Sequence, residues 1–256
     1  MALFNIQYRS PALNKTTGIT VVIPENAPAE DIPTLYLLHG MHGNHTDWER
    51  KTSIERYAQD RNIAVVMPDG ENSFYHDMKY GEDYFTYVAD ELVAYTRKIF
   101  RLSHKREKTF IAGLSMGGYG AFRIALMRPH QYAAAASLSG CVDMATRVMN
   151  DIWNDRIALA QGIWGADFRG ALRDTDSDLF YLIKNWPADA PRPRLYSACG
   201  TEDGLYADNI TFRDFMAEHP EFEYSFTSAP GVHNWAFWDK WIRPAMDYML
   251  AEHIIQ

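Results

Sequence analysis

A serine between two glycines is the strongest chemical signal in the sequence. The segment reads Gly113-Leu114-Ser115-Met116-Gly117, and it follows a short apolar run and precedes a stretch rich in small residues. This is the G-x-S-x-G pattern of a nucleophile elbow, in which a tight turn between a strand and a helix exposes the serine hydroxyl. Glycines are needed there because larger side chains would clash in the turn. The pattern predicts that Ser115 is a nucleophile.

A serine is a weak nucleophile at neutral pH and needs a neighbouring base. In folds that carry such an elbow, the chain order is serine, then the acid, then the histidine. The sequence has nine histidines. His233 follows the last predicted strand, whereas His219 adjoins Pro220 at a helix end and His253 lies in the terminal tail. Position therefore favours His233 as the base.

The acid that orients the base is expected between Ser115 and His233 in the sequence. The second strand beyond the elbow is followed by a polar turn that contains Glu202 and Asp203, and Asp208 comes shortly after. Asp203 is favoured over the other two because a short carboxylate late in the turn can meet the imidazole. The predicted triad is Ser115, Asp203 and His233.

Acyl transfer also needs hydrogen-bond donors placed in advance for the oxyanion. One donor is the N–H of the residue after the nucleophile, here Met116. The loop after the third predicted strand reads His-Gly-Met-His-Gly at residues 39–43, and its glycines let the backbone turn inward. The N–H of Met41 is the predicted second donor.

The same loop permits a metal-binding interpretation. The side chains that could ligate a metal are His39, His42, His45, Asp47, His76 and Asp77. Metal ligands usually lie on a scaffold that fixes the metal geometry, and the glycines here are better explained by an oxyanion turn. We therefore expect no metal site, and acyl transfer by a serine triad requires no cofactor.

Alternating apolar runs and amphipathic stretches must position these residues. The predicted strands are residues 3–8, 18–23, 34–39, 63–67, 109–112, 133–138, 194–198 and 223–228, and the first two form a hairpin. The predicted helices are residues 83–100, 116–127, 206–218 and 234–252. The interior strands are apolar on both faces, as in a buried parallel sheet. The pattern predicts an α/β fold with a mostly parallel, eight-stranded sheet and helices on both faces.

The interval from residue 142 to about residue 190 interrupts this alternation. It has no clear strand but several aromatic residues, namely Trp153, Trp164, Phe168, Phe180, Tyr181 and Trp186. Ligands bind at the carboxyl edge of open α/β sheets, so an insertion there is predicted to form a small cap. The aromatics either form the core of the cap or wall a substrate pocket. Charges throughout the interval argue against a lipase lid, which would present a broad apolar face.

Composition bounds the remaining possibilities. The 256 residues are 47% hydrophobic with a formal net charge of −8, which fits a single domain over residues 1–256. An acidic chain repels phosphate, so nucleic acid is not an expected partner. The sequence has no signal-peptide pattern and no apolar stretch long enough to span a membrane. Two cysteines make no disulfide framework, so a cytoplasmic location is predicted. A homo-oligomer is compatible with these features.

Four segments, taken in order, resemble the esterase D family of α/β-hydrolases, and within it the bacterial tributyrin esterases. They are residues 37–43 (Leu-Leu-His-Gly-Met-His-Gly), 113–120 (Gly-Leu-Ser-Met-Gly-Gly-Tyr-Gly), 199–203 (Cys-Gly-Thr-Glu-Asp) and 233–235 (His-Asn-Trp). The resemblance covers nearly the whole chain and is weakest over residues 142–189. It implies the α/β-hydrolase fold, the triad named above, and Met41 and Met116 as oxyanion donors.

The resemblance also implies the activity: hydrolysis of short-chain, acetyl to butyryl, esters of small molecules. Some relatives release acetyl or feruloyl groups from polysaccharides, and the motifs do not decide between these. S-formylglutathione hydrolases usually carry Ser-Gly-Leu-Thr-Cys in the oxyanion loop, which differs from residues 39–43 here. Such a hydrolase, or another thioesterase, is the alternative. A catalytically silent hydrolase fold would be indicated by loss of a triad residue, and none is lost.

Overall fold

A computed structural model describes residues 1–149 and 156–251 of the chain. Its strands are β1 (Ala2–Ser10), β2 (Lys15–Ile23), β3 (Thr34–Leu38), β4 (Ala64–Pro68), β5 (Thr109–Leu114), β6 (Ala134–Leu138), β7 (Arg194–Gly200) and β8 (Tyr224–Ala229). They form one eight-stranded sheet in the order β1-β2-β4-β3-β5-β6-β7-β8. The pairs β1–β2 and β2–β4 are antiparallel, and the other five pairs are parallel. The predicted α/β-hydrolase sheet, with its leading hairpin, is confirmed.

The burial of each strand follows from its place in the sheet. Every residue of β3, β4, β5, β6 and β7 is buried, because helices cover both faces of these central strands. The edge strand β1 is largely exposed, and β8 at the other edge is half-buried. The continuous apolar runs of the sequence are therefore the centre of the sheet.

Helices cover both faces of the sheet. They are α1 (Asp47–Lys51), α2 (Ile54–Arg61), α3 (Tyr84–Thr86, continued through a π-helical turn Tyr87–Glu91 into Leu92–Phe100), α4 (Met116–Met127), α5 (Met144–Met149), α6 (Ile157–Trp164), α7 (Leu179–Lys184), α8 (Tyr206–Ala217) and α9 (Trp235–Leu250). The apolar sides of α3, α4 and α8 share one core. Those of α1, α2 and α9 share the core on the opposite face. Among the described residues, no helix has both the length and the apolar character to cross a bilayer.

The predicted insertion lies between β6 and β7. Its described part contains α5, α6, a short 3₁₀ turn (Phe168–Gly170) and α7. This described part contains no strand, in agreement with the sequence. Residues 150–155, which include Trp153, and the C-terminal residues 252–256, which include His253, lie outside the described part of the chain.

Candidate active site

Ser115 occupies the sharp turn between β5 and α4. Its backbone dihedrals are φ 53° and ψ −117°, a conformation that a non-glycine residue adopts only when its surroundings enforce it. The surroundings here are tightly packed. A Cβ atom on Gly113 would collide with the backbone of Gly117, and a Cβ atom on Gly117 would collide with the carbonyl oxygen of His39. The two glycines of the motif are therefore required by packing, as the pattern predicts.

The loops after β7 and β8 bring a histidine and a carboxylate to this serine. His233 Nε2 lies 3.0 Å from Ser115 Oγ, and His233 Nδ1 lies 2.9 Å from Asp203 Oδ2. An ionised carboxylate only accepts hydrogen bonds, so Nδ1 carries the proton and Nε2 can accept the proton of the serine hydroxyl. The structure thus connects all three residues of the predicted triad in one hydrogen-bonded series.

The environment of Asp203 keeps its carboxylate ionised. Burial alone would raise the pKa of Asp203, but hydrogen bonds from His233 and from the Leu205 N–H outweigh it and hold the pKa below its usual value. The Leu205 N–H donates to Asp203 Oδ1 over 2.8 Å. A carboxylate held in this way fixes the tautomer of the histidine and stabilises it when it becomes charged.

The competing carboxylates have other partners. Glu202 accepts a hydrogen bond from the Gly231 N–H, and its own N–H donates to the Gly231 carbonyl over 3.1 Å, so it joins the two loops. Asp208 is ion-paired with Arg147. The competing histidine, His219, contacts Glu221. The other candidate, His253, lies outside the described residues.

The loop of residues 39–43 passes directly over the nucleophile. A Cβ atom on Gly40 would lie 2.5 Å from Leu114 Cδ1 and 3.3 Å from Ser115 Cβ, so the glycine lets the loop approach the nucleophile closely. Met116 is the first residue of α4, where N–H groups have no partner within the helix. Among the described turn and loop hydrogen bonds, neither the Met41 nor the Met116 N–H donates to a backbone carbonyl. Both N–H groups therefore stay candidates for donors to an oxyanion.

Three of the four histidines of the alternative metal interpretation form side-chain hydrogen bonds. His39 Nδ1 lies 2.6 Å from the Gly40 carbonyl oxygen. His45 Nδ1 lies 2.8 Å from the Thr20 hydroxyl, and His76 Nε2 lies 3.0 Å from the hydroxyl of a buried tyrosine on α4. Within residues 1–149 and 156–251, no three His, Cys, Asp or Glu side chains are grouped so that they could hold a metal ion.

Ester hydrolysis should therefore survive dialysis against a strong chelator such as 1,10-phenanthroline. The reason is that the proton transfers and the charge stabilisation are assigned to side chains and backbone N–H groups, not to a metal. The rate of p-nitrophenyl acetate hydrolysis before and after dialysis measures this. A loss of activity that added zinc restores would support the metal interpretation instead.

Two clefts meet at Ser115 and His233, and both include Met41 and Arg156 in their walls. The first, of about 340 Å³, is also lined by Gly40, His42, Asp47, Lys51, Leu114, Trp235 and Trp238. The second, of about 350 Å³, is also lined by Phe74, Cys141, Arg147, Asp203, Gly204 and Leu205. A cleft of about 600 Å³ around Arg106 and Arg194 lies at the opposite edge of the sheet, far from the triad.

The aromatic residues that line these clefts are not the insertion aromatics that the sequence analysis named. Of the insertion aromatics, Trp164 packs on Phe74 and His76. Phe168 is buried, and Phe180 and Trp186 pack on phenylalanines that lie outside the insertion. These four side chains pack against neighbouring residues, whereas Phe74, Trp235 and Trp238 line the clefts. In the sequence, Trp235 stands out only as part of the 233–235 motif, and Phe74 and Trp238 do not stand out, because no residue pattern shows that a loop and a helix start meet at the clefts.

A serine, a histidine and a carboxylate in hydrogen-bonded series at the carboxyl edge of this sheet define the chain as a serine hydrolase of the α/β-hydrolase fold. The model of the family described as "Putative esterase" matches residues 10–249, and the chain belongs to this esterase family. It is an enzyme that hydrolyses carboxylic esters.

Individual relatives agree with this class. An acetyl esterase of Caldicellulosiruptor saccharolyticus is 34% identical, over 97% of this chain and 98% of the relative. The substrate-bound structure of FphF, a fluorophosphonate-binding serine hydrolase of Staphylococcus aureus, has a TM-score of 0.89 at 36% identity, covering 98% of this chain and 99% of that one. An S-formylglutathione hydrolase structure from Staphylococcus aureus has a TM-score of 0.86, also at 36% identity and with the same coverage.

Proposed function

We propose that the protein hydrolyses short-chain acyl esters, acetyl to butyryl, through an acyl-enzyme formed on Ser115. The observation that carries this proposal is the series of hydrogen bonds from Asp203 through His233 to Ser115. The acetyl esterase relative supports the acyl preference. Within the esterase family, we assign the chain to the esterase D type and to its tributyrin esterase group, on the four sequence motifs.

The mechanism is two-step acyl transfer. His233 Nε2 takes the hydroxyl proton as Ser115 Oγ attacks the ester carbonyl, and Asp203 stabilises the imidazolium that forms. The N–H groups of Met41 and Met116 hold the oxyanion of the tetrahedral intermediate. The alcohol leaves with the proton from His233. Water, deprotonated by the same imidazole, then releases the acid and restores the serine.

The acyl preference leads to a prediction for p-nitrophenyl esters. The value of kcat/KM should be highest for acetate to butyrate and should fall about ten-fold or more at octanoate. Each buried methylene contributes about 0.8 kcal/mol only where a pocket has room for it. Arg147 and Arg156 are among the walls of the second cleft, so a long chain would meet charged groups.

The values of kcat/KM are measured for p-nitrophenyl acetate, butyrate, octanoate and palmitate, each below the concentration at which the ester aggregates. Acetylated and feruloylated sugar esters in the same assay identify the alcohol that the enzyme accepts. A kcat/KM that keeps rising to octanoate and beyond would make this a lipase-like enzyme and would contradict the proposal.

S-formylglutathione hydrolysis is the second candidate function. The S-formylglutathione hydrolase structure at 36% identity favours it. Values of kcat/KM for S-formylglutathione and p-nitrophenyl acetate, measured side by side, decide between the two functions.

A further inference from the structure

The loop that follows β4 lies beside the oxyanion loop of residues 39–43 and contains residues with positive φ angles. Phe74 and Tyr75 are consecutive residues with φ of 51° and 56°, in the left-handed region that side chains disfavour. The Arg123 guanidinium donates to the carbonyl oxygen of Tyr75 over 3.1 Å. Strained backbone of this kind persists where its surroundings enforce it, and it is often found at functional sites.

The side chain of Tyr75 reaches the oxyanion loop. Its ring is fully buried and lies against Gly70 and Gly120, where a Cβ atom would collide with the ring. Its hydroxyl donates to the carbonyl oxygen of His39 over 2.9 Å. Burial raises the pKa of Tyr75 well above its usual value, so the hydroxyl keeps its proton and remains a donor.

The imidazole ring of His39 links this hydrogen bond to the next peptide of the oxyanion loop. Its Nε2 accepts a hydrogen bond from the Gly70 N–H over 2.8 Å, so the proton of the neutral ring lies on Nδ1. Nδ1 donates to the Gly40 carbonyl oxygen over 2.6 Å. This carbonyl and the Met41 N–H belong to one planar, trans peptide, in which the two groups point in opposite directions. Holding the carbonyl toward His39 therefore turns the Met41 N–H away from the ring.

We propose that Tyr75 is a positioning residue for the oxyanion hole, acting through His39. The tyrosine hydroxyl fixes the His39–Gly40 peptide, and the histidine ring fixes the Gly40–Met41 peptide that follows. The inference rests on the proposed function, because it takes the Met41 N–H as an oxyanion donor. The adjacent Phe74 lines the second cleft beside Ser115, so one strained segment supports both the cleft wall and the donor.

Loss of the Tyr75 hydroxyl should affect binding of the transition state more than binding of the substrate. Loss of a complete oxyanion donor costs roughly a hundred-fold or more in kcat. A donor that is present but less well oriented should cost less. Removing the Tyr75 hydroxyl should therefore lower kcat by about ten-fold and leave KM within about two-fold of the wild-type value.

The test compares Tyr75→Phe with Tyr36→Phe. Tyr36 is equally buried, lies on β3 leading into the same loop, and pairs its hydroxyl with Thr96 Oγ1 at 3.1 Å. Both variants lose one buried hydroxyl, but only Tyr75→Phe should lose kcat. A trifluoromethyl ketone with a short acyl chain adds to the serine and places an oxyanion in the hole. Its Ki should rise in Tyr75→Phe by the same factor by which kcat/KM falls.

A second pair of variants applies if Tyr75→Phe does not fold. His39→Asn keeps a side-chain N–H that can donate to the Gly40 carbonyl, whereas His39→Ala does not, so His39→Asn should retain more kcat. A Tyr75→Phe enzyme with wild-type kcat, or with a lowered kcat and an unchanged Ki, would overturn the inference. A wild-type enzyme without ester hydrolysis would instead contradict the proposed function.

Discussion

Replacing Ser115 by alanine should lower kcat for ester hydrolysis by about ten-thousand-fold or more and should leave the fold intact. The alanine removes the only atom that can form the acyl-enzyme in the proposed mechanism. The other two members of the triad then have no proton to transfer to or from a nucleophile. The backbone turn is unaffected because the methyl group occupies the position of the serine Cβ.

The loss can be separated from unfolding. Ser103→Ala is a suitable control, because Ser103 donates a side-chain hydrogen bond to Asp31 at 2.6 Å, as Ser115 does to His233, but lies away from both clefts. It should keep wild-type kcat. A fluorophosphonate probe should add covalently to the wild type at Ser115, shown by peptide mass, and should not label Ser115→Ala. Wild-type turnover by a folded Ser115→Ala protein would contradict the assignment of Ser115 as the nucleophile.

The parts of the site that could be predicted from the sequence are those fixed by chain order. Parallel strands end at the same edge of the sheet, so the turns after β5, β7 and β8 had to lie close together. The glycines around Ser115 mark a turn that only glycines permit. The continuous apolar runs of the central strands mark a sheet covered on both faces.

The parts that could not be predicted depend on contacts between distant segments. Tyr75 is separated from His39 by 36 positions in the sequence, and nothing in the residue pattern indicates that its hydroxyl meets that carbonyl. The helices α1 and α2 have five and eight residues, which is too short for a clear helical period. The π-helical turn inside the predicted helix 83–100 leaves the apolar pattern nearly unchanged, so it is visible only in the structure.

The identity of the triad acid also depends on contacts that the sequence does not show. Glu202 and Asp203 are neighbours, and the sequence distinguished them only by side-chain length and position. The structure adds that the Glu202 carboxylate binds the Gly231 N–H while the Asp203 carboxylate faces His233 Nδ1. Asp203 is therefore expected to be the residue whose charge matters for catalysis.

Replacing Asp203 by asparagine should lower kcat by about ten-thousand-fold. The Leu205 N–H holds Asp203 Oδ1, and the same N–H would keep the carbonyl oxygen of an asparagine. The amide nitrogen would then take the place of Oδ2, which at 2.9 Å is the oxygen nearer to His233 Nδ1, while Oδ1 lies at 3.1 Å. Because an amide NH₂ only donates, Nδ1 would become the acceptor and the imidazole proton would move to Nε2. His233 could then no longer accept the proton of Ser115.

Two matched variants separate this effect from the loss of any nearby charge. Glu202→Gln keeps a carbonyl oxygen for the Gly231 N–H, and Asp208→Asn removes only the ion pair with Arg147, so both should keep kcat within about ten-fold of the wild type. The ¹⁵N chemical shifts of the two His233 ring nitrogens would report the tautomer directly in wild type and in Asp203→Asn. If Glu202→Gln were the damaging change, the acid would be Glu202, and the loop would have to rearrange during turnover to bring its carboxylate to the imidazole.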